Sequence, residues 1–217
     1  MPRQVFVAGA TGYMGRHLIP VLLARGHQVR ALARRGSEAR VPPGCEIVVG
    51  DPFDRQTFAA AIPPCETFVQ LVGVPHPSPS KAAQFLAIDL RSAVESIAAA
   101  RDAGMAHFVY VSVAQPAPVM QAYQDARRRA EQGLAASGLT RTVLRPWYVL
   151  GPGHRWPYLL LPAYWMLEQL PSTREGARRL GLVTLSQMIE ALVRAIENPP
   201  ARERIVEVPD IRRAQLI

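Results

Sequence analysis

Val5-Phe-Val-Ala-Gly-Ala-Thr-Gly-Tyr-Met-Gly15 is the stretch on which the reading of this chain turns. An apolar run, Val5 to Ala8, ends in three glycines spaced three apart, Gly9, Gly12 and Gly15. Met14, Leu18, Val21 and Leu22 follow at helical spacing and predict one buried face. Strand, glycine turn, helix is the context in which a glycine motif signals a phosphate site. Gly9 permits the tight turn, Gly12 lets backbone N–H groups approach a pyrophosphate, and Gly15 lets the helix pack closely. The helix start then offers N–H groups and a favourable dipole to negative charge. The same stretch also reads as a glycine-rich turn with no ligand, and the rest of the chain has to choose between the two.

Working outward, strand-like runs alternate with helical patterns almost from end to end. Strands are expected near 4–8, 28–33, 46–49, 67–72, 107–112 and 141–145, and helices near 14–25, 54–61, 83–103 and 122–137. Leu86, Leu90, Val94 and Ile97 are expected to form the buried stripe of the 83–103 helix. This alternation implies an α/β protein with a doubly wound parallel sheet. Phe108-Val-Tyr-Val-Ser112 is nearly continuous in apolar residues, as a strand covered on both faces should be. After Pro146 the alternation weakens, and Gly151-Pro152-Gly153 marks a turn. A last helix is expected over about 185–197, followed by a short strand from Arg204 to Val208. The expectation is one domain over 1–217, with 151–217 supplying a small cap.

The chain has 217 residues, 49% of them hydrophobic, enough for one large core. Its net charge of +8 is almost all arginine, and Lys81 is the only lysine. A basic balance can signal nucleic acid, an acidic membrane or an anionic cofactor. No helix-turn-helix, zinc or aromatic RNA-binding pattern accompanies it, which argues against nucleic acid. Cys45 and Cys65 lack metal-ligand spacing, so no metal is expected. With no signal peptide in view, a reduced, cytoplasmic chain is the expectation.

Spacing of the G-x-x-G-x-x-G kind, and the run "GATGYMGRHLIPVLLARGHQVRALAR" around it, resembles the extended and atypical branches of the short-chain dehydrogenase/reductase superfamily. The resemblance extends to about residue 197 and implies a Rossmann fold that binds a nicotinamide dinucleotide. It implies cofactor contacts from Gly9, Thr11, Gly12, Tyr13, Met14 and Gly15. Arg34 and Arg35 follow the second strand, where an acidic residue would hold the ribose 2′-hydroxyl of NAD and a cation accommodates the 2′-phosphate of NADP. Arginine's planar fork suits phosphate, so NADP is expected over NAD; the alternative is two solvated arginines. Gly50-Asp-Pro-Phe-Asp54 resembles the superfamily's "GD-x-x-D" segment. By that resemblance Asp51 meets the adenine amino group, with Pro52 or Phe53 against the ring. Asp54 reads as a helix N-cap. Val72, Gly73 and Val74 would run past the nicotinamide ribose.

For catalysis the resemblance implies a Tyr-x-x-x-Lys pair on one helix face and a serine on the preceding strand. Ser112 and Tyr123 stand at such positions, but four residues beyond Tyr123 comes Arg127. Arginine keeps the charge that favours tyrosinate but cannot pass a proton on. Tyr123 reads either as the catalytic tyrosine or as a packing residue. Asp89 occupies a place where related proteins often carry asparagine. Thr142-Val-Leu-Arg-Pro-Trp-Tyr-Val-Leu-Gly-Pro-Gly153 is similar to the "LRP-x-x-x-x-GPG" signature of atypical members. It implies that Pro146, Trp147 and Tyr148 pass the nicotinamide; the two aromatics read equally as pocket wall or core.

Two functions stay open: a reductase of a small carbonyl or related substrate using Ser112, Tyr123 and Arg127, or a non-catalytic NADP(H) binder. The second would resemble NmrA-like sensors or the accessory subunit of respiratory complex I. A third possibility is membrane-surface contact through residues 158–167, rich in tyrosine, tryptophan and leucine. A proline-broken cap over the substrate pocket is the competing reading of that stretch.

Overall fold

The computed structural model describes residues 2–152 and 174–214. Seven parallel strands form the central sheet in the order β3-β2-β1-β4-β5-β6-β9. They are β1 (Gln4–Ala8), β2 (Gln28–Ala33), β3 (Glu46–Val49), β4 (Thr67–Gln70), β5 (His107–Val111), β6 (Arg141–Arg145) and β9 (Glu203–Glu207). The strand order reverses between β1 and β4, which opens a crevice at their carboxyl ends. In doubly wound sheets that crevice is where ligands bind.

Apolar clusters cover both faces of the sheet. On one face Leu18, Ile19 and Leu22 of α1 (Tyr13–Ala24) pack with Met188, Leu192 and Ile196 of α6 (Leu185–Glu197), over Val5, Val7 and Val109. On the other, Phe6, Phe68 and Phe108 stack across three neighbouring strands, with ring centroids 5.1 and 5.2 Å apart. Ala93, Ile97 and Ala100 of α3 (Arg91–Asp102) and Ala130 and Leu134 of α4 (Gln121–Ala136) cover them. Each fully buried large side chain contributes roughly 1.5–3 kcal/mol, so these two layers dominate the stability. Two short helices, α5 (Arg174–Arg179) and α7 (Val208–Arg213), complete the C-terminal part.

Two expectations are corrected. The helix expected over 54–61 is two 3-10 turns, Arg55–Thr57 and Ala59–Ala61. There the Thr57 hydroxyl donates to the Asp54 carbonyl at 2.7 Å and accepts from Asp51 N–H at 2.8 Å, local bonds that compete with an α-helix. The helix expected over 83–103 is a composite: α2 (Ala82–Gln84), a π-helical segment Phe85–Leu90, then α3. Its buried face holds Phe85, Asp89, Ala93, Ser96 and Ala100, together with Ile97 of the expected stripe, while Leu90 is partly buried. Leu86 and Val94 lie 47% and 50% exposed instead, because small residues admit closer packing on the sheet. After Pro146, where the alternation weakens, β7 (Tyr148–Leu150) pairs in parallel with β8 (Leu182–Thr184) as a second, two-stranded sheet. Residues 158–167 fall outside the described residues. Among the described residues no helix is long and apolar enough to cross a membrane.

His107 in β5 is buried, with Nε2 3.0 Å from the Thr142 hydroxyl. Burial, helped by Arg3 and Arg204, pushes its pKa down from 6.5 to about 4. Between those values the unfolded chain takes up a proton that the folded imidazole refuses, so stability falls as pH falls and levels off below about 4. The loss should approach about 3 kcal/mol. Urea unfolding of His107→Gln at pH 7 and pH 4.5 should show a markedly flatter pH dependence than the parent.

Candidate cofactor and active site

The turn from β1 into α1 forms the floor of the site. Gly9 has φ +88°, and a Cβ there would come within 2.9 Å of the Val72 backbone nitrogen. Gly15 presses on the turn itself, where a Cβ would meet Ala10 Cα at 2.7 Å and collide with the Gly9 carbonyl oxygen. Gly12 is the N-cap of α1, and its own N–H donates to Gly9 at 3.0 Å. No side chain caps this helix and no acidic residue stands in its first turn. A helix start with neither a side-chain cap nor a nearby carboxylate, at the crevice, fits a pyrophosphate.

A cleft of about 260 Å3 opens from this turn. Gly9, Thr11, Gly12, Arg34, Pro52, Val72 and Gly73 line it, together with Leu32, Phe53, Leu71, Pro75 and Ile88. Arg34 and Arg35 are both exposed, and neither has an ion-pair partner among the described residues. Only Arg34 reaches the cleft wall. Asp51 lies beside the cleft, with Oδ1 accepting from Phe53 N–H at 3.0 Å, and Asp54 caps the next turn by accepting from Gln56 N–H at 3.0 Å. Phe53 carries the Arg91 guanidinium 5.8 Å from its ring centroid. Leu32, Pro75 and Ile88 had no signal in the sequence, because apolar lining looks like core until the chain is folded.

The remaining residues surround this cleft without lining it. Met14 packs into the core on the α1 side. The Tyr13 ring packs tilted against His17, with centroids 5.0 Å apart, and its hydroxyl abuts Gly151. Pro146 accepts the Ala114 N–H at 2.9 Å. Trp147 packs against the core and meets Tyr148 edge-on at 5.7 Å. Val74 is buried among Phe85, Ala126 and Tyr123.

Behind Gly73 lies a buried ion pair. Arg127 Nη2 donates to Asp89 Oδ1 at 2.5 Å, and the two side chains are 7% and 0% exposed. Asp89 Oδ2 accepts the Val74 N–H at 3.1 Å. Arg127 Nη1 donates to the Val111 carbonyl at 2.7 Å and to the Tyr110 hydroxyl at 3.3 Å. Its guanidinium carbon lies 5.2 Å from the Tyr123 ring centroid and 5.7 Å from that of Tyr110. The π-helical segment turns Asp89 inward to make this contact possible. Tyr123 is half-buried on α4, tilted against Phe85 at 4.9 Å. Burial pushes its pKa up, and Asp89 adds to this, while Arg127 pulls the other way without reversing it.

Ser112 is elsewhere engaged. Its hydroxyl donates to Glu131 Oε1 at 2.5 Å, and Glu131 also receives Gln115 at 3.0 Å and Arg145 at 2.5 Å. Arg145 reaches on to Glu207 at 3.0 Å. Glu131 escaped the sequence reading although it sits two turns beyond Tyr123 on the same helix. A glutamate on an arginine-rich helix resembles a solvated surface residue. Among the described residues no group of three or more His, Cys, Asp or Glu side chains could hold a metal.

A family model described as NAD(P)H-binding matches residues 9–155. The 3-diazoavenalumate denitrifying reductase of Streptomyces sp is 30% identical over 222 residues, covering 90% of this chain and 72% of that protein. The chloroplastic divinyl chlorophyllide a 8-vinyl-reductase of Zea mays is 33% identical over 159 residues, 65% of this chain. The match spans only 39% of that protein's length. Among solved structures, the Bordetella bronchiseptica enzyme WbmH in complex with NAD+ superimposes with a TM-score of 0.69 at 20% identity. It covers 94% of this chain and 75% of that one, which establishes likeness of fold.

Adding a methyl group at Gly73 tests how tightly this region is built. The new Cβ would strike Arg127 Nη2 and approach Asp89 Oδ1 to 3.0 Å. The guanidinium is pinned on three sides, so it cannot swing away cheaply. Gly73→Ala should cost about 1–3 kcal/mol in a denaturant melt and weaken dinucleotide binding at the same time.

Proposed function

Because the chain belongs to the NAD(P)H-binding family, within the short-chain dehydrogenase/reductase superfamily, we propose that it binds NADP(H) and reduces a small carbonyl or related unsaturated substrate. One observation carries the cofactor half of this reading. The uncapped start of α1 and the unpaired Arg34 stand on the same cleft, so one ligand can engage both with its phosphates. Gly9, Thr11 and Gly12 would hold the pyrophosphate, Pro52 and Phe53 would flank the adenine, and Val72 and Gly73 would pass the nicotinamide ribose. Arg34 would take the 2′-phosphate with a charge-assisted contact, and Arg35 adds positive potential from the exposed turn.

Bound NADPH supplies the hydride. The chain's part is to hold the reacting groups together, exclude water and provide a proton. Tyr123 is the proposed donor, since it packs on Val74 just beyond the ribose stretch. Arg127 is not free to relay protons, because the guanidinium stays protonated and is tied to Asp89 and Val111. Ser112 is proposed as a support, since its proton is committed to Glu131 in the structure described. Relatives named for acting on a vinyl group and on a diazo compound widen the candidate substrates beyond carbonyls. The engaged serine also favours a second reading, NADP(H) binding without turnover.

NADPH should bind more tightly than NADH. A charge-assisted contact to phosphate is worth about 1.5–3 kcal/mol, or roughly ten- to a hundredfold in affinity. Calorimetry on Arg34→Ala and on Arg34→Ala/Arg35→Ala should show that preference collapse, most of it with the first change. Equal affinities in the parent would overturn the assignment.

NADPH oxidation should be screened across aldehydes, ketones, quinones, enones and diazo compounds. With a substrate in hand, Tyr123→Phe should lower kcat by roughly 10²–10⁴-fold while NADPH binding is retained. Undiminished turnover in Tyr123→Phe would remove Tyr123 as donor, and no turnover with any class would leave the binding reading.

A further inference from the structure

Asp89 and Arg127 occupy the place where a tyrosine would otherwise meet a single unbalanced cation. Both Asp89 oxygens accept, one from the guanidinium at 2.5 Å and one from the Val74 backbone N–H at 3.1 Å. A carboxyl group with two acceptor roles and no donor role is ionised. Arg127 is charged under all ordinary conditions. The two charges therefore cancel within one hydrogen-bond length of each other, in a pocket almost closed to solvent. Tyr123 therefore meets a pair of opposite charges rather than a lone cation.

We propose that Asp89 is a positioning residue that neutralises Arg127 and holds it against Gly73, so that Tyr123 stays a protonated donor at neutral pH. The charged and titratable groups around the Tyr123 hydroxyl come from three elements. Arg127 lies on the same helix, Asp89 on the π-helical segment, and Tyr110 on β5, where it is itself bonded to Arg127. Only the first two carry charge at neutral pH. Burial of the phenol disfavours tyrosinate, and Asp89 offsets part of the opposing pull of Arg127. Burial raises Tyr110 to about 12 in the same surroundings.

The chemical consequence is directional. A neutral phenol can give a proton to a substrate atom that has accepted hydride, which is what a reduction requires. It cannot accept the proton of an alcohol at neutral pH, so the reverse oxidation is suppressed until the medium is strongly alkaline. The role in turnover rests on the proposed reductase function, but the protonation state of Tyr123 does not. It is measurable on the protein without substrate or cofactor.

The test is a tyrosine titration by ultraviolet difference absorbance or 13C-tyrosine NMR, with Tyr123→Phe identifying the signal of Tyr123. In the parent, Tyr123 should ionise above pH 10, the ordinary phenol value. Asp89→Asn leaves Arg127 unbalanced and should lower the Tyr123 midpoint by roughly one unit or more. Arg127→Gln leaves Asp89 unbalanced and should raise it. Asp89→Asn/Arg127→Gln removes both charges and should return the midpoint to within about half a unit of the parent, as a cancelled pair requires. A residue that only holds the fold would not give shifts of opposite sign that cancel in the double variant. A parent midpoint below pH 9 overturns the proposal even if no variant folds, and so does an unmoved midpoint in Asp89→Asn. Failure to oxidise NADPH, with these shifts intact, would count against the reductase reading alone.

Discussion

The close approach of the β1–α1 turn to the exit of β4 is the constraint on which the rest of the structure depends. Gly9 must sit at positive φ with the Leu71–Val72 backbone against it, and Gly15 must let α1 down onto Gly9 and Ala10. Both contacts are backbone against backbone, so no rotamer change can make room for a side chain. They seat the start of α1 at the crevice where the strand order reverses. They also aim the Val72–Gly73 stretch along the cleft. The packing that lets the domain close is therefore the same packing that shapes the binding floor.

A second close approach lies one step further along the chain. At Gly73 the crowding group is the Arg127 guanidinium, and this region is held by charge as well as by shape. Taking two charges out of water is costly, and their attraction offsets that only when geometry and additional hydrogen bonds are good. Here the pair is satisfied by Val74, beyond β4, and by Val111 and Tyr110 of β5. It joins the π-helical segment, β5 and α4 behind the ribose stretch. Within this pair, Arg127 Nε is a buried N–H left without a partner. A fixed cation of this kind can organise a site, but it is poorly suited to moving protons.

The Ser112–Glu131–Arg145–Glu207 chain extends the same logic towards the β9 edge of the sheet. Glu131 gathers Ser112, Gln115 and Arg145, and Arg145 links it to the last strand. The end of β5 is thus tied to α4, β6 and β9 by side chains rather than by the ladder alone. Much of the arginine in this sequence is engaged in this way. Arg25 pairs with Glu190, Arg141 with Glu203 and Arg127 with Asp89. Arg34 and Arg35 stand apart from that pattern, exposed at the end of β2.

Periodicity along the chain was enough to determine the alternating elements, the parallel sheet and the glycine turn. Each of these is written in residues close in sequence: apolar runs of four or five, helical spacing, and three glycines three apart. The boundaries of β1, β2, β3 and β6 were legible to the residue because apolar runs end sharply at polar or glycine positions. What only the tertiary structure decided was which side chains meet. The inward turn of Asp89, the capture of Ser112 by Glu131 and the exposure of Leu86 and Val94 involve residues far apart in sequence or a π-helical offset that hydrophobic spacing does not encode. Sequence determines local geometry through sterics and hydration, residue by residue. The state of a titratable side chain depends on its neighbours in space, and those are fixed only when the layers pack.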